Sequence, residues 1–284
     1  MTVGTRPGSV VRRRIWRVDG KTTTPAHDTL ATEEPLEIRL LLADDPPIPV
    51  SVTMRTPGHD FELAAGFLFT EGIIPGREAI HQMEYCVGPV AEQQYNSIGV
   101  RLRPGLRVDR TRLERHFYTS SSCGVCGKAS LDAIRTQVPA WGLKPDAPHL
   151  TPQVVGTLPD TLRQAQGVFD RTGGLHASGL FTPDGRLISI REDVGRHNAL
   201  DKLIGEQLLS GALPLRDRVL LVSGRASFEL VQKAAMAGLP ILVAVGAPSS
   251  LAADAAEELG ITLVGFARGA RFNVYTHPQR VLDV

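Results

Sequence analysis

Three short, largely apolar runs in the second half of the chain, Val219 to Ser223, Ile241 to Val245 and Ile261 to Phe266, limit the possible folds more than any other feature. A strand covered on both faces reads as a near-continuous apolar run rather than an alternating one. Phe228 to Ala237 and Ser250 to Leu259 separate these runs and have helical length, so a sheet flanked by helices is predicted. A helix from Val154 to Phe169, a hairpin of Leu175 to Phe181 and Arg186 to Ile190 around Asp184-Gly185, and a helix from Arg196 to Leu209 precede them.

The first half reads differently. Val11 to Val18, Leu36 to Ala43, Pro49 to Arg55, Gln82 to Val87 and Asn96 to Leu102 carry strand signals, interrupted by one helix over His59 to Thr70 that stops at Gly72. Lys128 to Val138 looks helical, and Pro139 to Pro152 reads as a linker. The expectation is an α/β chain, α+β overall, with a β-rich N-terminal domain over 1–138 and an α/β domain over 139–284.

Charge and cysteine content narrow the function. The 31 basic and 30 acidic residues leave a formal net charge of +1, so no bulk field recruits nucleic acid or an anionic membrane. No stretch approaches the ~20 apolar residues a membrane span requires. Arg12-Arg13-Arg14 precedes a polar segment rather than an apolar one, which points to the cytoplasm. Cys86, Cys123 and Cys126 are too few for a disulfide framework, and Cys86 reads as a small buried residue.

Cys123 and Cys126 form a Cys-x-x-Cys pair in the polar stretch Tyr118 to Lys128, which reads as a loop. Such a pair serves as half of a metal site, as a redox couple, or as a nucleophilic thiolate with a neighbour. No second close pair of ligands exists, so no structural metal is expected. A thiol on a loop suits visits to two partners, and Lys128 with the following helix start favours the thiolate.

Ser223-Gly224-Arg225-Ala226-Ser227 joins a buried strand to a helix, where backbone N–H groups meet an anion. Ser227 as a simple helix cap is an equal alternative. Val245 to Ser250 and the segment Phe266-Ala267-Arg268-Gly269-Ala270-Arg271 end on similar chemistry, and strand ends of a parallel sheet share an edge. Arg268 and Arg271 around Gly269 are placed to clamp a pyrophosphate, against the plainer reading of a solvated turn. Arg191 to Asn198 is dense in ionisable groups, including His197, and reads as part of a site. His176 opens the hairpin strand, as a site residue or as a core histidine bonded to backbone.

The segments Ser122 to Lys128, Thr172 to Ala177, Arg191 to Lys202, Val222 to Ser227, Ala247 to Ser250 and Phe266 to Thr276 resemble the FdhD family of formate dehydrogenase accessory sulfurtransferases. The resemblance implies that a cysteine desulfurase places sulfur on Cys123 as a persulfide. The sulfur then passes to molybdenum bis-molybdopterin guanine dinucleotide, carried as cargo, before its insertion into formate dehydrogenase. It also implies a homodimer, cofactor contacts from Phe266 to Arg271, and a cytidine-deaminase-like three-layer fold for the second half.

Two alternatives stand beside it. A zinc deaminase needs a His or Cys at one helix start and Cys-x-x-Cys at the next, whereas these starts read Gly195-Arg196-His197 and Gly224-Arg225-Ala226-Ser227. A chaperone that delivers the molybdenum cofactor without sulfur chemistry would not need its cysteines to react.

Overall fold

The structure is a computed structural model, and it describes residues 7–42, 46–86, 95–105, 138 and 148–282. The Cys123–Cys126 loop, the helix expected up to Val138 and most of the expected linker lie outside the described residues.

The chain forms three sheets. The first is a two-stranded antiparallel ribbon of β1 (Val10–Asp19) and β2 (Thr22–Ala31). Only β1 is legible as a strand in the sequence. Polar and proline-bearing, β2 lacks the alternation that marks a strand, and it forms because Gly20, at φ 58°, reverses the chain onto β1.

The second sheet has the order β4–β3–β6–β5, from β3 (Glu34–Leu41), β4 (Ile48–Arg55), β5 (Ile80–Tyr85) and β6 (Ser97–Leu102). Leu36, Ile38 and Leu40 alternate into its core beside Ile98 and Val100, under helix α1 (Asp60–Thr70).

The third sheet has six strands in the order β12–β11–β10–β9–β7–β8. They are β7 (His176–Phe181), β8 (Leu187–Asp193), β9 (Val219–Val222), β10 (Ile241–Ala244), β11 (Thr262–Arg268) and β12 (Arg271–Val274). The parallel part is β9, β10 and β11; β7 and β12 run antiparallel to it on either side, and β8 pairs antiparallel with β7 at the edge. Both faces are covered, which explains the apolar runs. Val219, Leu221, Ile241, Val243 and Val264 meet α2 (Pro152–Ala165), whereas Leu220, Val222, Leu242, Ala244 and Leu263 meet α4 (Arg196–Leu209), α5 (Phe228–Met236) and α6 (Ser250–Glu258).

The helix expected over Val154 to Phe169 is two helices. After α2 the chain turns at Gln166, and α3 (Gly167–Thr172) begins with the N–H groups of Val168 and Phe169 donating to the Glu192 carboxylate at 3.0 and 2.8 Å.

A single apolar cluster runs from Leu36 in β3 through α1 and α4 to Leu263 in β11, so the two halves share a core. At its centre α1 and α4 cross backbone to backbone. A Cβ on Gly66 would stand 1.9 Å from the Asp201 carbonyl oxygen, and one on Gly205 would stand 1.8 Å from that of Glu62. Beside this crossing lies a buried ionic cluster. Lys233 Nζ reaches Glu71 at 2.7 Å and Asp201 at 3.0 Å, and the Thr70 hydroxyl donates to Asp201 at 2.8 Å.

Candidate functional site

Because β9, β10 and β11 are parallel, their carboxyl ends reach one edge, and each runs into a turn. These turns are stitched together by backbone bonds. Gly246 N–H donates to Gly224 at 2.9 Å, Ala226 N–H to Ala247 at 3.2 Å, Ser249 N–H to Ala226 at 3.1 Å and Phe266 N–H to Gly246 at 3.0 Å. Two glycines permit this stacking: a Cβ on Gly246 would press on Arg225 at 3.0 Å, and one on Gly265 would meet Pro248 Cδ at 2.7 Å. Antiparallel to β9, β7 delivers its first residue, His176, to the same edge. The Ser223 hydroxyl fixes it there by accepting the Ala177 N–H at 2.9 Å.

The start of α4 completes the edge. Arg196 is its first residue, and its Cδ lies 4.0 Å from the place of a Cβ on Gly224, while His176 Nδ1 lies 3.3 Å from that place. His197 Nε2 stands 3.3 Å from the Ser227 hydroxyl and 3.9 Å from a Glu229 carboxylate oxygen. Burial, then the positive charges of Lys233 and Arg196, hold His197 down to about 4. Burial and the Arg196 charge also push His176 below its ordinary value, against the pull of Asp193. Both imidazoles are therefore neutral near pH 7.

Ser227 occupies the N-cap position of α5 without accepting a cap hydrogen bond, whereas Ser249 caps α6 by accepting from Ala252 N–H at 3.2 Å. At the start of α5 the Glu229 carboxylate takes that part instead, accepting from the Ser227 hydroxyl and from its own backbone N–H. Among the described residues the His176 ring takes part in no hydrogen bond.

The other expected site residues are dispersed around this edge. Phe266, 45% exposed, adopts a left-handed backbone with φ 55° beside the Gly246 turn. Ala267 is buried in the smaller apolar cluster. Arg268 and Arg271 face each other across the β11–β12 hairpin, both exposed, with Gly269 and Ala270 as its tip. Gly269 is at φ 53°, and its carbonyl packs on Gly156 of α2. Arg225 is exposed. Among the described residues no hydrogen bond or ion pair ties Arg268 or Arg271 to the Ser223–Ser227 turn. Cys123 and Cys126 lie outside the described residues, and half-buried Cys86 packs its sulfur against Gly99.

The charged block Arg191 to Lys202 is largely scaffold rather than site. Lys202 Nζ pairs with Asp193 at 2.7 Å, both buried, and donates to the Thr56 carbonyl at 2.8 Å. Asp193 also accepts the N–H groups of Thr56 at 3.1 Å and Gly195 at 2.9 Å. Arg191 holds Glu62 of α1 and Glu206 of α4, the latter at 2.7 Å. Asn198 donates to the Met54 carbonyl at 2.7 Å. Only Arg196 and His197 of the block turn toward the edge. Sequence reasoning could not separate Arg196 from Arg191, since both are arginines in one motif and only the fold decides which meets a carboxylate.

Among the described residues no group of three His, Cys, Asp or Glu is placed to hold a metal ion, and no helix is long and apolar enough to cross a membrane.

The sequence model of the FdhD/NarQ family matches residues 31–282. The chain is 55% identical over 273 residues to the sulfur carrier protein FdhD of Streptomyces avermitilis, covering 95% of each chain. It is 41% identical to that of Thermoplasma volcanium, covering 97% of each. A crystal structure from Desulfotalea psychrophila, of a protein assigned as a formate dehydrogenase accessory protein, superimposes with a TM-score of 0.71 at 27% identity. That match covers 96% of this chain and 99% of the other.

Proposed function

The chain belongs to the FdhD/NarQ family, and from that premise we propose that it is a cytoplasmic, homodimeric sulfurtransferase serving formate dehydrogenase. Its Cys123 thiolate attacks the outer sulfur of a cysteine desulfurase's persulfide. An S–S bond forms on Cys123 and the desulfurase cysteine leaves as thiolate. The Cys126 thiolate then attacks the inner sulfur of that persulfide, so that the bond to the outer sulfur breaks, a Cys123–Cys126 disulfide supplies the two electrons, and the sulfur leaves as hydrosulfide for molybdenum bis-molybdopterin guanine dinucleotide, the cargo.

The observation that carries the cargo half of this reading is the edge itself. Three stacked turns at the carboxyl ends of parallel strands, and arginines without carboxylate partners among the described residues, match a nucleotide's phosphates in charge and donor type. Exposed Phe266 adds an apolar surface for a planar base. Cytidine-deaminase-like topology in the second half belongs to the same proposal.

The test is genetic and chemical together. Cys123→Ala, as the only copy in the cell, should yield formate dehydrogenase that contains cofactor and lacks activity. Mass spectrometry after incubation with desulfurase and cysteine should find added sulfur on the wild-type loop peptide and none at position 123 of the variant. A fully active formate dehydrogenase in the Cys123→Ala cells would overturn the sulfur-transfer reading.

A further inference from the structure

Arg196 presents an unusual electrostatic situation. Its Nε is buried and has no hydrogen-bond partner, and none of the hydrogen bonds or ion pairs among the described residues engages its guanidinium. Asp193, three residues earlier, is no counter-ion for it. The oxygens of that carboxylate are already engaged by Lys202 Nζ at 2.7 Å, the N–H groups of Thr56 and Gly195, and Asn198 Nδ2 at 3.2 Å. Glu229 feels the charge of Arg196 but takes its hydrogen bond from Ser227. A buried Nε without a partner carries a desolvation cost that a bound anion would offset, and Arg196, unlike Arg216, whose Nε is likewise buried and unpartnered, stands at the carboxyl edge of the parallel strands.

Its surroundings exclude competing roles. His176 and His197 flank it as neutral rings, so the site holds one localised cation rather than three. Gly224 stands opposite, and any side chain there would run into His176 at 3.3 Å and approach Arg196. Gly224 lets the His176 ring pack against the backbone of the turn Ser223–Ser227, whose chain then opens α5.

We infer that Arg196 is a binding residue for an oxyanion, a phosphoryl or pyrophosphoryl group, at the carboxyl end of β9 beside the His176 ring and the turn Ser223–Ser227. The inference rests on the cargo reading above and deepens it: it assigns the nucleotide's phosphates to Arg196 rather than to the exposed pair Arg268 and Arg271. The neutral imidazoles then serve as hydrogen-bonding walls that leave the anion paired with a single guanidinium. Arginine suits the place because its planar fork offers two parallel N–H donors to two oxygens.

Calorimetry on the full-length protein tests this with GDP, ADP and inorganic pyrophosphate as probes. Wild type should bind GDP and pyrophosphate. Arg196→Gln should weaken both by roughly 10- to 100-fold, the scale of lost charge-assisted hydrogen bonds. Arg196→Lys, which keeps the charge but not the fork, should fall between them. Circular dichroism establishes that the variants are folded. If Arg196→Gln unfolds, the lysine variant and the salt dependence of wild-type pyrophosphate binding decide the matter, since a charge-paired anion must bind more weakly as salt rises. Affinity for pyrophosphate in Arg196→Gln or Arg196→Lys equal to wild type, wild-type binding indifferent to salt, or no wild-type binding of either probe, would overturn the assignment. Arg196-dependent pyrophosphate binding with no preference for GDP over ADP would keep Arg196 and sink the guanine-nucleotide cargo instead.

Discussion

Gly66→Ala should destabilise the protein by about 2 kcal/mol or more, although alanine is the better helix former. The new Cβ would stand 1.9 Å from the Asp201 carbonyl oxygen, and real Cβ contacts essentially never fall under 3.0 Å, so the helices must separate by at least 1.1 Å (3.0 − 1.9). The obstacle is helix backbone and cannot rotate aside. Overpacking a filled interior by one carbon costs ~1–3 kcal/mol, and a rigid obstacle places this case at the upper end or beyond. Higher helix propensity returns ~1 kcal/mol. A net loss of about 2 kcal/mol raises the unfolding constant roughly 30-fold, readable as a lower urea midpoint. Gly205→Ala, at 1.8 Å from the Glu62 carbonyl oxygen, should behave alike. Gly167→Ala, which meets nothing within 4 Å, serves as the control. The reasoning fails if Gly66→Ala and Gly205→Ala are both as stable as wild type.

Two further outcomes follow from a buried ion pair and a half-buried imidazole. Lys202→Met should cost about 3–5 kcal/mol in urea denaturation, because it strands the Asp193 carboxylate, whose side chain is 0% exposed; a loss under ~1 kcal/mol would refute that pairing as a structural tie. His197 is held at about 4 against an ordinary 6.5, so between those pH values the unfolded chain binds a proton that the fold excludes, and stability attributable to this group falls as pH drops through the window. Relative to wild type, His197→Gln should therefore gain stability progressively from about pH 6.5 down to about pH 4. The same comparison cancels Asp201, whose burial raises it to about 6 and gives the opposite trend in both proteins. A stability difference constant with pH would show that His197 is not the desolvated group.

What the sequence revealed depended on how locally each feature is encoded. The strands β9, β10 and β11 were legible because burial on both faces makes them apolar without alternation, and the β7–β8 hairpin was legible from Asp184-Gly185. The second strand of the ribbon was not, since its pairing comes from β1 rather than from its own composition. The break at Gln166 depended on Glu192, over twenty residues away in sequence. At the site, the turns Ser223–Ser227 and Phe266 onward could be found from strand–glycine junctions. The division of Arg191 to Lys202 into scaffold and site could not, because it is fixed by partners such as Glu62 and Thr56 in the other half of the chain.

The crossing of α1 and α4 also limits how relatives can exchange parts. A chimera joining residues 1–138 of one family member to 139–284 of another would divide a single core, and its seam would include the contact of Gly66 with Asp201 and of Gly205 with Glu62. Donor and recipient would have to supply small residues at matching positions on both helices, or the hybrid would splay where α4 carries Arg196 to the edge. Recombination within the family should therefore favour breakpoints that keep α1 and α4 from the same parent, and grafting a cysteine loop alone should be tolerated better than exchanging halves.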